Sequence, residues 1–84
     1  MYQTMAKIKD LLNRAKSDMQ SNGRLSKGTY YDVVDSALRG EAFELRMGVA
    51  DAYKCRARMT YYHKAGVMHM QTLEDGTANV SFNK

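Results

Sequence analysis

The chain has 84 residues, with 13 Lys and Arg against 9 Asp and Glu, a formal net charge of +4, one Cys, seven Met, six Tyr and neither Trp nor Pro. That length makes a single domain over 1–84, and a composition 44% hydrophobic and 26% charged is that of a folded domain, not a disordered tail. No run of about 18 apolar residues and no apolar stretch with a cleavage site at the start is present, which excludes a spanning helix and a secretory signal and predicts a soluble cytoplasmic protein.

The charge is unevenly spread. Residues 1–28 carry six basic and two acidic groups, 29–50 two and four, 51–66 four and one, and 67–84 one and two. Positive charge therefore collects in the first segment and in 51–66, and localised charge is what a phosphate backbone responds to.

Met5, Ile8, Leu12, Ala15 and Met19 recur at spacings of three and four, predicting an amphipathic helix over about 4–21. Thr4 is its expected N-cap and Gly23 its left-handed stop. The same stripe fits a core or a seam against a second copy, so a homodimer through this N-terminal helix (1–22) is one expected partnership.

Residues 24–28 read as a short basic loop. Thr29 and Asp32 then make a start resembling a capping box, and Tyr30, Val33, Val34, Ala37 and Leu38 predict a second helix over 29–39, closed by Gly40. Between 41 and 49, Phe43, Leu45, Met47 and Val49 alternate with polar neighbours as a strand would, yet the same residues are good helix formers. A short helix with Gly48 in a turn is expected there, and a strand is the alternative.

A third helix is predicted over 51–65, with Asp51 as N-cap, Ala52, Cys55, Met59 and Tyr62 as one stripe, and Gly66 at its end. The alternation of Tyr53, Cys55, Ala57, Met59 and Tyr61 is the extended alternative. Two β-biased runs within 67–82 flank Glu74-Asp75-Gly76-Thr77, and an Asp-Gly pair so placed predicts a hairpin. Val80 and Phe82 share one face, as do Met68 and Met70, and an isolated hairpin is barely stable unless a face packs on the helices. The expected fold is mainly α with a C-terminal β-hairpin, an α+β domain.

The Gly48-Val49 turn, the apolar spacing through the basic segment, the Lys64-Ala65-Gly66-Val67 exit and a hairpin with Gly76 near its tip resemble the core of winged helix-turn-helix domains. The likeness runs loosely over 29–82 and best over 48–68. It implies a winged-helix-like core, with 51–65 as recognition helix, duplex DNA as ligand and transcription regulation as the role.

With Ala52, Cys55, Met59 and Tyr62 turned inward, Tyr53, Lys54, Ala57, Tyr61 and Lys64 point outward, with Arg56 and Arg58 on the two shoulders. Lys and Arg neutralise phosphates and release counterions, while Tyr bonds a phosphate or stacks on an unpaired base. Lys54, Arg58 and Tyr61 are the candidates for base or phosphate contact, with Tyr53 beside them. Arg56, Lys64 and Lys27 are candidates for positioning the backbone. If Tyr53, Ala57 and Tyr61 were the core stripe instead, the helix would be turned over. On the first helix Lys7, Lys9, Arg14 and Lys16 are interrupted by Asp10 and Asp18, the pattern of a solvated face.

Cys55 alone builds no disulfide, and with His63 and His69 it makes no zinc-ligand spacing; the histidines read as surface residues and Cys55 as a small apolar one. No glycine-rich phosphate loop, Ser/His/Asp set or carboxylate pair is present, so neither an enzyme nor a cofactor is expected. The expected function is a small non-enzymatic regulator that binds nucleic acid, duplex DNA first. The alternatives are an inhibitor or adaptor docking on a protein through its Met and Tyr side chains, and an RNA-binding module.

Overall fold

A computed structural model describes residues 2–62 and 67–83, and the side chains of 7–62 and 68–83 within them. Six elements follow in chain order: α1 (Tyr2–Asn22), α2 (Lys27–Leu38), β1 (Phe43–Gly48), α3 (Val49–Tyr62), β2 (Val67–Thr72) and β3 (Thr77–Asn83). The fold is α+β, three helices on a three-stranded antiparallel sheet of order β1-β3-β2.

The helix starts differ from those expected. Helix α1 begins at Tyr2, so Thr4 lies inside it, while Gly23, at φ +71°, takes the left-handed stop and donates its N–H to the Met19 carbonyl at 3.0 Å. Helix α2 begins at Lys27 because Ser26 is its N-cap: the Ser26 hydroxyl accepts the Thr29 N–H at 3.4 Å and donates to the Thr29 hydroxyl at 2.9 Å. Thr29 is thus buried in the first turn and does not open the helix. Helix α3 begins at Val49, so Asp51 sits in its first turn and caps nothing; the Val49 N–H is taken by the Gly76 carbonyl at 3.1 Å. The expected end of this helix at 65–66 lies outside the described residues.

The helix expected over 41–49 is a strand. β1 pairs with β3 over six residues, Phe43 opposite Phe82, Leu45 opposite Val80 and Met47 opposite Ala78, and its burial alternates accordingly. Helix propensity is overruled by a partner more than thirty residues away, because only the extended form puts Phe43, Leu45 and Met47 on one face. The Phe43 and Phe82 rings meet at 4.8 Å between centroids. The expected hairpin is present, with Met68 opposite Phe82 and Met70 opposite Val80, and Gly76 at φ +83° in its turn.

One face of the sheet supplies Phe43, Leu45, Met47, Ala78, Val80 and Phe82 to the core, and Leu11, Ala15, Leu25, Val33, Val34, Ala37, Ala52, Cys55 and Met59 close over it. Helix α1 packs along β1, α3 crosses all three strands, and α2 lies against both of those helices. The apolar stripe of α1 is thereby used within the chain: Leu11 and Ala15 are buried, while Ile8, Leu12 and Met19 pack against the core in part. The opposite face of the sheet is polar, with exposed Glu44, Arg46, His69, Gln71 and Asn79. No described helix is long and apolar enough to cross a membrane.

Candidate nucleic-acid interface

The surface of α3 follows from which of its residues are buried. Ala52, Cys55 and Met59 face the core, so at 3.6 residues per turn the opposite face is Ala50, Ala57 and Tyr61, flanked by Tyr53 on one side and Lys54 on the other. Tyr62, expected to point inward, is 43% exposed and packs edge-on against Tyr61, with centroids 5.1 Å apart. The extended alternative and the inverted helix are both ruled out by this burial.

The two arginine shoulders of α3 serve different places. Arg58 and Lys54 turn toward the start of α2, where an open cleft of about 820 Å³ lies between α3 and residues 22–31. Arg24 and Lys27 line its far wall, and Tyr30 and Tyr31 line it as well. Arg58 stands over the Tyr31 ring, 5.9 Å from its centroid. Arg56 turns the other way, toward β2 and the polar face of the sheet, beside Met68 and His69. Of the residues expected from the sequence, Lys27, Lys54 and Arg58 share one cleft and Tyr53 and Tyr61 stand on the adjoining outer face. Arg56 is separate, and Lys64 and His63 lie outside the described residues.

Arg24 and Tyr31 were not among the expected site residues. Arg24 lies in the basic loop before α2, and only the tertiary contact of that loop with α3 brings it into the cleft. Asp51 makes that contact: its carboxylate accepts the Leu25 N–H at 3.2 Å. Asp18 of α1 holds the same loop from the other side, accepting the Ser26 N–H at 2.9 Å, and this bond to the backbone keeps the Asp18 carboxyl below the usual range.

The arginines fall into two groups. Arg14 pairs with Asp10 and, at 2.8 Å, with Asp32; Arg39 pairs with Glu41 at 3.2 Å; Arg46 pairs with Asp75 and donates to the Thr77 hydroxyl at 3.0 Å. Among the described residues, Arg24, Arg56 and Arg58 form no such pair, nor do the lysines Lys7, Lys9, Lys16, Lys27 and Lys54. The acid at the hairpin tip is also engaged: the Thr77 hydroxyl and N–H hold the Asp75 carboxyl below its ordinary range, with Arg46 adding to the effect.

Cys55 has no part in the surface. It is buried with its Sγ 4.0 Å from the Met47 sulfur, and burial, reinforced by Asp51, pushes the thiol up to about 12. Burial likewise raises the Tyr30 hydroxyl, with Cys55 adding to the effect and Arg58 opposing it. The described residues bring no three of His, Cys, Asp and Glu together as metal ligands. No protein-family model matches the chain, and no curated protein or solved structure is significantly similar to it.

Proposed function

We propose that this protein is a small, non-enzymatic, nucleic-acid-binding regulator acting in the cytoplasm, with the cleft between α3 and the start of α2 as its phosphate-binding surface. The observation that carries this reading is the gathering of four cations, Arg24, Lys27, Lys54 and Arg58, around one cleft with no ion pair among the described residues. Arg14, Arg39 and Arg46, by contrast, are paired with acids, and the unpaired Lys7, Lys9 and Lys16 alternate along α1 with Asp10 and Asp18. Uncompensated cations gathered in one place neutralise phosphates and release counterions. Among the described residues, Asp51 is the one acid lining that cleft, against four cations, and its carboxylate accepts the Leu25 N–H.

The winged-helix form of the proposal has α3 entering a duplex and the β2–β3 hairpin as wing. It is supported by a basic helix leading toward an antiparallel hairpin, and by a sheet order in which β1 joins that hairpin. Two features weigh against it: β1 stands between α2 and α3, and the hairpin tip carries Glu74 and Asp75. The protein-docking alternative draws on the exposed tyrosines, since Tyr and Arg are common anchors of protein interfaces.

Binding of labelled oligonucleotides by Lys54→Ala, Arg58→Ala and Arg46→Ala tests the proposal. The first two changes weaken binding, and the third, which removes a cation already paired, leaves it within about twofold of the parent. Equal loss in all three, or none, contradicts it. A partner retained after nuclease treatment and indifferent to salt supports the protein-docking alternative.

A further inference from the structure

The exposed large apolar side chains among the described residues are all tyrosines: Tyr31 at 43%, Tyr53 at 54%, Tyr61 at 75% and Tyr62 at 43%. Tyr31 lines the cation cleft and the other three lie on α3, beside Lys54 and Arg58. We infer that the ligand of this surface is a single-stranded nucleic acid, with its phosphates along Arg24, Lys27, Lys54 and Arg58 and its bases stacked on Tyr53 and Tyr61. The inference rests on the nucleic-acid reading above and names the form of nucleic acid that the surface takes.

Three observations favour one strand over two. The first is shape. The cations face one another across a trough beside α3, not along its crest, and a trough follows a single backbone, whereas a reading helix has to enter a groove about 12 Å wide with its polar side chains leading. The second is the chemistry of the outer face. Its middle, Ala50, Ala57 and Tyr61, offers no guanidinium, ammonium or amide group to a base edge; Lys54 stands at its cleft-side margin, as Tyr53 does at the other, and Arg58 beyond Lys54 is held over the Tyr31 ring. The third is the aromatic surface itself. Bases within a duplex are stacked on each other and have no face to offer a tyrosine, while an unpaired base does. Arg58 on Tyr31 shows the same π-face already in use by a planar cation.

Fluorescence anisotropy with a labelled oligothymidylate and a labelled duplex of equal length tests this, using the full chain and the variants Tyr53→Ala, Tyr61→Ala and Tyr61→Phe. Both tyrosines are exposed, so circular dichroism of the variants should match the parent. The expected result is a preference for the single strand of about tenfold or more. Each alanine lowers single-strand affinity by about five- to 150-fold, while Tyr61→Phe keeps it. A duplex bound as well as or better than the single strand, with Tyr53→Ala and Tyr61→Ala unchanged, overturns the inference and leaves the nucleic-acid reading in place. No binding of either form at low salt overturns both.

Discussion

Arg46 and Arg58 are the same residue type in opposite circumstances. Arg46 lies on the polar face of the sheet, donates to Thr77 and pairs with Asp75, so its charge is cancelled where it arises. Arg58 rests its guanidinium over Tyr31 at the rim of a cleft with three further cations. Cys55, one helical turn before Met59, has the opposite character: its environment disfavours charge. Its thiol keeps its proton up to about 12, whereas in an unfolded chain a thiol ionises near pH 8.5. The folded state therefore binds more protons between those values, and stability falls as pH rises through that window, with Tyr30 acting in the same direction. Urea midpoints measured at neutral and alkaline pH should show that decline, and Cys55→Ala should lessen it. The native thiol should resist iodoacetamide and react once the chain is unfolded. Rapid alkylation of the native protein would show that Cys55 is not buried.

The cleft depends on how the elements are tied. Ser26 starts α2, Asp18 holds the Ser26 N–H, and Asp51 in the first turn of α3 holds the Leu25 N–H, so the Arg24 and Lys27 wall is fixed against α3 by two carboxylates. Asp51 also contributes negative charge to the surface proposed to bind phosphates. Asp51→Asn keeps an oxygen acceptor for Leu25 while removing that charge, and oligonucleotide affinity at low salt should rise severalfold. An unchanged or lower affinity would contradict phosphate binding beside Asp51. Much of this layout was legible in sequence: the stripes of α1 and α2, the glycine stop at Gly23, the Asp-Gly hairpin, and the inward set Ala52, Cys55 and Met59. β1 was not, because Phe43, Leu45 and Met47 suit a helix locally and only their pairing with β3 decides the matter. The start of α2 was misplaced for a similar reason: Thr29 is a fair cap by type, but Ser26 is the residue that bonds its N–H. Arg24 and Tyr31 escaped notice because their link to α3 is tertiary, and no local spacing encodes it.

Across the whole molecule, the sheet divides apolar from polar. One face and the helices above it form a single core, and the other face carries Glu44, Arg46, His69, Gln71 and Asn79 to solvent. Acidic side chains of the chain pair with Arg14, Arg39 and Arg46, while Arg24, Lys27, Lys54 and Arg58 collect around one cleft, so part of the positive charge is concentrated on that side. A charge so concentrated steers a polyanion to one side of a small protein and makes binding depend steeply on salt. The most direct measurement is the slope of log affinity against log salt for a single-stranded oligonucleotide, in the parent and in Lys54→Ala/Arg58→Ala. Four cations, Arg24, Lys27, Lys54 and Arg58, at about 0.7 each give a parent slope near −3, and the double variant should be shallower by about 1.4. A flat parent slope, or an unchanged slope in the double variant, would contradict phosphate binding in this cleft.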